Sequence, residues 1–148
     1  MSPAKRSLVA TAVLVACIVL LLARHALFAR RPLGLAMQGM AVILMVWARW
    51  TFGVRSFHAA ANPTAGGLVT SGPYHYWRHP IYAAILLFMW AGVLGQGTWP
   101  TLGVLLAAAL GTLMTGARIQ AEEQLLRSTF ADYGAYAQRT KRLIPFVL

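Results

Sequence analysis

Long runs of apolar residues constrain this chain more than any other feature of its sequence. Four such segments can be marked, at residues 8–28, 33–52, 80–94 and 99–117. A helix rises about 1.5 Å per residue and the hydrocarbon core of a bilayer is about 30 Å thick, so the first, second and fourth segments are long enough to cross a membrane. The third is short, which leaves open either a span with little tilt or one half of a re-entrant hairpin.

The composition agrees with a membrane protein, because 59% of the residues are hydrophobic and only 11% are charged. We therefore predict an all-α integral membrane protein with about four transmembrane helices and a C-terminal amphipathic helix at the cytoplasmic face. Its length of 148 residues suffices for a single domain, 1–148, and not for two. The amphipathic helix is predicted from one apolar stripe in the tail, formed by Ile119, Leu126, Phe130, Tyr133 and Ala137.

The distribution of charge indicates how the chain is oriented. There are 13 Lys and Arg residues against three Asp and Glu, a formal net charge of +10. The basic residues stand at the ends of apolar segments rather than on one soluble face, so we predict no nucleic-acid partner. Their balance favours cytoplasmic N- and C-termini, whereas Arg24, Arg30 and Arg31 would lie at the opposite end, against the trend.

Polar and titratable side chains gather in one short stretch, GPYHYWRHPIYAA at residues 72–84. Two apolar segments separate it from the polar tail, so both lie on one side of the membrane whichever way the chain is inserted. The tail contains the adjacent Glu122 and Glu123, two of the three acidic residues. Each group alone has a structural explanation, as an interfacial aromatic, a snorkelling arginine or an i,i+4 ion pair. Together they predict a polar pocket at the membrane face.

Two blocks of the sequence resemble a known family. SGPYHYWRHPIYAA, at 71–84, resembles the G-P-Y-x-x-x-R-H-P-x-Y motif of the isoprenylcysteine carboxyl methyltransferases and of related phospholipid N-methyltransferases. RIQAEEQLL, YGAYAQRT and RLIPF resemble the second block of that family, and the likeness covers about residues 62–146. The resemblance implies an integral-membrane methyltransferase that binds S-adenosylmethionine at the cytoplasmic face through residues 62–82 and 118–146.

The same resemblance implies which positions form the site. The cofactor pocket would contain Tyr74, Arg78, His79, Pro80, Tyr82, Glu122 and Glu123. For catalysis we expect Arg78, Arg118 and Glu123. Either arginine would orient an acceptor carboxylate. A glutamate or a histidine (His75 or His79) would take the proton of an acceptor amine.

Methyl transfer is an in-line displacement at a carbon that a sulfonium already activates, so the protein must chiefly position the reactants, and we expect no metal. The preferred reaction is carboxyl O-methylation of an isoprenylcysteine-like acceptor, and the alternative is N-methylation of a phospholipid or another amine. The expected partners are a lipophilic acceptor and the membrane lipids, while the oligomeric state stays open. Two further classes also stay open: an NADPH-dependent sterol-type reductase and a non-catalytic membrane protein that binds lipid headgroups.

Overall fold

The computed structural model describes residues 2–53 and 67–143. Within these ranges the prediction of an all-helical chain is confirmed, because the only β-type pairing there is an isolated bridge between Trp77 and Lys141. Residues 62–66 and 144–146 of the expected cofactor region lie outside the described residues. The elements are α1 (Pro3–Ala23), α2 (Pro32–Phe52), a 3₁₀ turn (Gly72–His75), α3 (Pro80–Leu94), α4 (Leu102–Thr129) and α5 (Tyr133–Arg139).

Proline begins three of the helices. Pro3, Pro32 and Pro80 each stand in the first helical turn, where a missing N–H leaves no hydrogen bond unmade. The hydroxyl of Ser2 also accepts a hydrogen bond from the Lys5 amide at 3.4 Å and so caps α1. At the other end of α2, Gly53 adopts a φ of +67°, which a residue with a Cβ adopts only with strain.

Three of the described helices, α1, α2 and α4, are long and apolar enough to cross a membrane. The shorter α3 has 15 residues and coincides with the segment expected at 80–94. The fourth segment was expected to end near residue 117, but α4 continues to Thr129. No glycine or proline interrupts residues 117–129, and Arg118 and Glu122 form an i,i+4 ion pair that supports the helix there.

The tail therefore differs from the prediction. Among the described residues there is no separate amphipathic helix that begins at Arg118. Its first part is an extension of α4, and its second part is the seven-residue α5. Glu122 and Glu123 consequently lie on the same continuous helix as the fourth apolar segment.

The helices pack in pairs: α1 lies along α4, α2 lies along α3, and α3 joins the two pairs through α4. Large apolar side chains cover the outer faces, with Ile43 and Leu113 among the most exposed, as expected for helices that contact lipid. A buried core between the pairs consists of Leu21, Ala26, Met89, Val93, Val104, Ala107 and Ala108.

One end of the bundle is closed by residues 24–31, which we call the basic turn. Gln38 of α2 fastens it, since its side-chain oxygen accepts from the Ala29 amide at 3.1 Å and its nitrogen donates to the carbonyls of Leu27 at 2.7 Å and Phe88 at 3.1 Å. Gly92 of α3 lies so close that a Cβ there would be 2.0 Å from the Leu27 oxygen. Because α3 ends beside this turn and α4 begins next to it, the residues before α3 and those after α4, which include the 3₁₀ turn and α5, lie at the other end.

Candidate active site

Backbone hydrogen bonds join the polar stretch before α3 directly to the tail. The Arg78 amide donates to the carbonyl of Lys141 at 2.7 Å, and the His79 amide donates to that of Arg142 at 3.1 Å. The two motif blocks, which are far apart in sequence, thus form one unit at a single end of the bundle. This agrees with the count of apolar segments, which placed both blocks on one side.

Buried tyrosines strengthen this junction. The Tyr136 hydroxyl donates to the carbonyl of Tyr74 at 2.7 Å. Burial raises the pKa of Tyr136 to about 12, so the phenol stays protonated and able to donate at neutral pH. The Tyr74 ring packs against that of Phe52 with 5.4 Å between ring centroids, and burial raises the pKa of Tyr74 as well.

Glu123 is the centre of one group of charges. Its Oε1 lies 3.1 Å from Nε of Arg78, and both side chains are nearly buried, at 5% and 10% exposure. Arg78 also donates to the carbonyls of Ala137 and Thr140, so its position is fixed from the tail. Arg142 approaches the same carboxylate from the outside, with Nη2 2.9 Å from Oε2, and its side chain is 51% exposed.

Glu122 is the centre of a second group. The Tyr82 hydroxyl donates to Oε1 of Glu122, and the same hydroxyl accepts from Nε of Arg118. Nε of Arg118 also lies 3.1 Å from Oε1 of Glu122. The Arg118 guanidinium lies 5.6 Å from the Tyr82 ring centroid and donates to the hydroxyl of Thr11, which brings α1 into the site.

His79 stands between the two groups. Its Nδ1 is 3.9 Å from Glu122 Oε2 and its Nε2 is 3.5 Å from Glu123 Oε1. Nε2 is buried and has no hydrogen-bond partner among the described residues, as is also true of the Tyr133 hydroxyl and the Trp77 indole N–H. Buried polar atoms are almost always hydrogen-bonded. These three atoms therefore indicate where polar atoms of a ligand would be accommodated.

The structure brings six of the predicted site residues together in this network: Arg78, His79, Tyr82, Arg118, Glu122 and Glu123. Tyr74 stands beside them in the 3₁₀ turn, and Pro80 contributes by starting α3 directly after His79. The individual roles assigned to these residues stay predictions.

Two participants were not predicted from the sequence. Thr11 is a hydroxyl residue inside a long apolar run, which was a usable signal. Arg142 belongs to RLIPF in the second block, but nothing in its spacing shows that it pairs with Glu123. No group of three His, Cys, Asp or Glu side chains within the described ranges could hold a metal ion.

Comparison with known proteins identifies the family. The phospholipid methyltransferase family (PEMT) matches residues 29–133, more than half of the chain. The chain belongs to the phospholipid methyltransferase family. This family is part of the group related to the isoprenylcysteine carboxyl methyltransferases, so the resemblance seen in the two motif blocks is confirmed.

Two curated relatives each match about half of the chain. The cobalt-zinc-cadmium resistance protein CzcN of Cupriavidus metallidurans is 42% identical over 80 residues, which are 53% of this chain and 35% of that protein. The nickel-cobalt-cadmium resistance protein NccN of Alcaligenes xylosoxydans xylosoxydans is 38% identical over 81 residues, which are 53% of this chain and 36% of that protein. The aligned part thus spans about a third of either relative. No solved structure matches the chain.

Proposed function

We propose that this protein is an S-adenosylmethionine-dependent methyltransferase that methylates a lipophilic acceptor at the membrane face. The observation that carries the proposal is that the two motif blocks meet in one ionic network, in which Arg78 and Glu123 are nearly buried. It contains two carboxylates, three guanidiniums and a histidine: Glu122, Glu123, Arg78, Arg118, Arg142 and His79.

The residues fit this cofactor chemically. Bound S-adenosylmethionine would supply the methyl carbon activated by its sulfonium. Glu122 would accept hydrogen bonds from ribose hydroxyls or from the ammonium, because its carboxylate is an acceptor and its side chain is 21% exposed. The Nε2 atom of His79 and the Tyr133 hydroxyl, which lack partners among the described residues, would bind polar atoms of the same ligand.

Arg142 would be the member of the network that changes partner. It is half exposed, whereas Arg78 is held by two carbonyls as well as by Glu123. An amino-acid group carries one ammonium and one carboxylate. The ammonium would replace Arg142 at Glu123 while Arg142 turns to the carboxylate, so every charge keeps a partner and the cost of desolvation stays low.

Arg118 would face the acceptor. Thr11, which Arg118 contacts, lies about 12 Å along α1 from its first residue at about 1.5 Å per residue, so this group lies deeper along the bundle than Arg142. The network has three guanidiniums and two carboxylates, an excess of one positive charge that favours an anionic acceptor. A carboxylate acceptor needs no base, and Arg118 would orient it. We therefore propose carboxyl O-methylation of an isoprenylcysteine-like acceptor.

One observation favours the alternative, N-methylation of a phospholipid amine. An ammonium must lose a proton before it can attack, and His79 Nε2 is a buried nitrogen without a hydrogen-bond partner among the described residues. It would serve as the base, with the neighbouring carboxylates stabilising the imidazolium that forms.

The first experiment measures thermal stability of the purified protein in detergent with S-adenosylmethionine, S-adenosylhomocysteine or NADPH. We expect both adenosyl ligands to stabilise the fold, by about 2.7 kcal/mol at 100 times their Kd. A folded sample that neither ligand stabilises contradicts the proposal, and stabilisation by NADPH alone would favour the reductase.

The second experiment follows methyl transfer from methyl-labelled cofactor to a prenylated cysteine and to phosphatidylethanolamine. A methyl ester is released as methanol in base, whereas an N-methyl group is not, so the label distinguishes the two reactions. We expect Glu123→Gln and His79→Ala to lose transfer, and Arg139→Gln, an exposed charge outside the network, to retain it. Wild-type transfer by both site variants would show that the pocket is elsewhere.

A further inference from the structure

The end of the bundle opposite the candidate site has a cluster of arginines that methyl transfer does not use. Arg24, Arg30 and Arg31 of the basic turn are all exposed. The two connections at this end, residues 24–31 and 95–101, contain no acidic residue. This end of the protein is therefore purely cationic.

The basic turn is held rigidly by its backbone rather than by its charges. The amides of Arg30 and Arg31 both donate to the carbonyl of Gly95, at 2.8 and 2.9 Å, and the Gln96 side chain donates to that of Phe28 at 2.7 Å. His25 adopts a φ of +53°, a left-handed conformation that a non-glycine residue keeps only when its surroundings impose it. The backbone of the basic turn is thus fixed, and the exposed arginine side chains extend from it.

Aromatic residues indicate where the basic turn lies relative to the membrane. Phe28 within the turn is 58% exposed, and Trp99 in the neighbouring connection is 96% exposed. Exposed tryptophan at the end of a membrane span is typical of the interface between hydrocarbon and water. The adjacent arginines would accordingly lie among the phosphates of the lipid headgroups.

We propose that the basic turn binds the phosphate groups of anionic phospholipids in the leaflet opposite the candidate site. Arg24 and Arg30 are the principal contacts, because their side chains have no hydrogen-bond or ion-pair partner among the described residues. Arg31 contributes while it also donates to the carbonyl of Gly97 at 3.0 Å. The positive charge of the turn favours an anionic partner. Its position between the apolar ends of α1 and α2 favours a lipid over a protein. This site is independent of the methyl-transfer reaction.

The test compares two double variants that each remove two exposed positive charges, one pair at each end of the bundle. Arg24→Gln/Arg30→Gln alters the basic turn, and Lys5→Gln/Arg6→Gln alters the opposite end. Native mass spectrometry of the delipidated protein, titrated with phosphatidylglycerol against phosphatidylcholine, gives the affinity for each lipid. Arg31 is left intact in both, so its contact with Gly97 is preserved.

We expect Arg24→Gln/Arg30→Gln to bind phosphatidylglycerol roughly 30-fold more weakly, at about 1 kcal/mol per basic residue near an anionic surface. Lys5→Gln/Arg6→Gln should keep the wild-type preference, and wild-type binding should weaken with salt. Equal losses in both variants, an unchanged preference in the turn variant, or a lipid-independent dimer that the turn variant abolishes would each overturn the proposal. Melting curves in detergent show whether both variants are folded.

Discussion

Replacing Glu123 by glutamine tests the ionic network most directly. The substitution keeps the shape of the side chain and one acceptor oxygen, but it removes the charge that Arg78 and Arg142 share. Arg78 is only 10% exposed, so water can replace little of what it loses. The pairs join protein side chains to one another, and the effect should therefore appear in the ligand-free protein.

The magnitude follows from the geometry of the pair. Opposite unit charges 3.1 Å apart attract by about 5 kcal/mol at an effective dielectric constant of about 20. Loss of one partner of a buried pair costs about 3–5 kcal/mol, because the remaining charge is left uncompensated. Arg78 keeps its bonds to the carbonyls of Ala137 and Thr140, so we expect Glu123→Gln to lower the free energy of unfolding by about 3 kcal/mol, the low end of that range.

Unfolding can be measured by tryptophan fluorescence in mixed micelles with an increasing fraction of denaturing detergent. The matched control is Asp132→Asn, which makes the same acid-to-amide change at an exposed position, and we expect a change within about 0.5 kcal/mol. In a double-mutant cycle, Arg78→Gln should cost much less once Glu123 is already glutamine. If Glu123→Gln is no more destabilising than Asp132→Asn, the network does not hold the two motif blocks together.

Three other outcomes follow from the structure. Gly92→Ala should destabilise the fold by more than about 3 kcal/mol, because its Cβ would lie 2.0 Å from a backbone oxygen of the basic turn. Gly103→Ala, with open space around it, should be neutral or stabilising in the same micelle assay. Tyr136→Phe should cost about 1 kcal/mol near neutral pH. Because burial raises the pKa of Tyr136 from 10.0 to about 12, the stabilisation by Tyr136 is fully present below pH 10 and is lost as the pH rises through 12. Phenolate absorbance, compared between wild type and Tyr136→Phe, measures this titration. Arg142→Gln should weaken the binding of S-adenosylhomocysteine roughly tenfold, as measured by calorimetry. The affinity for methylthioadenosine, which lacks the amino-acid group, should not change. Equal effects on both affinities would refute the exchange of ion pairs.

The fold could be predicted to the extent that it depends on hydrophobicity and on proline. The 80–94 segment coincides with α3, and Pro80 begins that helix as its ring geometry favours. The end of α4 could not be read from hydropathy, because the helix outlasts its apolar stretch. Beyond residue 117 the ion pair of Arg118 and Glu122 supports the helix, and a charged pair of this kind lowers the mean hydropathy.

The candidate site was predictable as a meeting of two segments but not as a network. Counting the apolar segments was enough to place Arg78 and Glu123 at one end of the bundle. Which carboxylate each arginine selects depends on side-chain direction around α4, where successive residues point about 100° apart. Glu122 and Glu123 are neighbours in sequence, yet one pairs with Arg118 and Tyr82 and the other with Arg78 and Arg142.

The two carboxylates thus have different partners, which two exposed i,i+4 ion pairs on one helix would not explain. Adjacent positions on one rigid helix direct one carboxylate to Arg118, deep along α1 beside Thr11, and the other to the half-exposed Arg142. His79 lies between them, within 3.9 Å of both carboxylates. Under the proposed function, a polar cofactor from the aqueous side and a lipophilic acceptor from the bilayer would meet at such a two-level site. The extension of α4 beyond its apolar part would supply that site, because it holds both carboxylates on the helix that contains the fourth apolar segment.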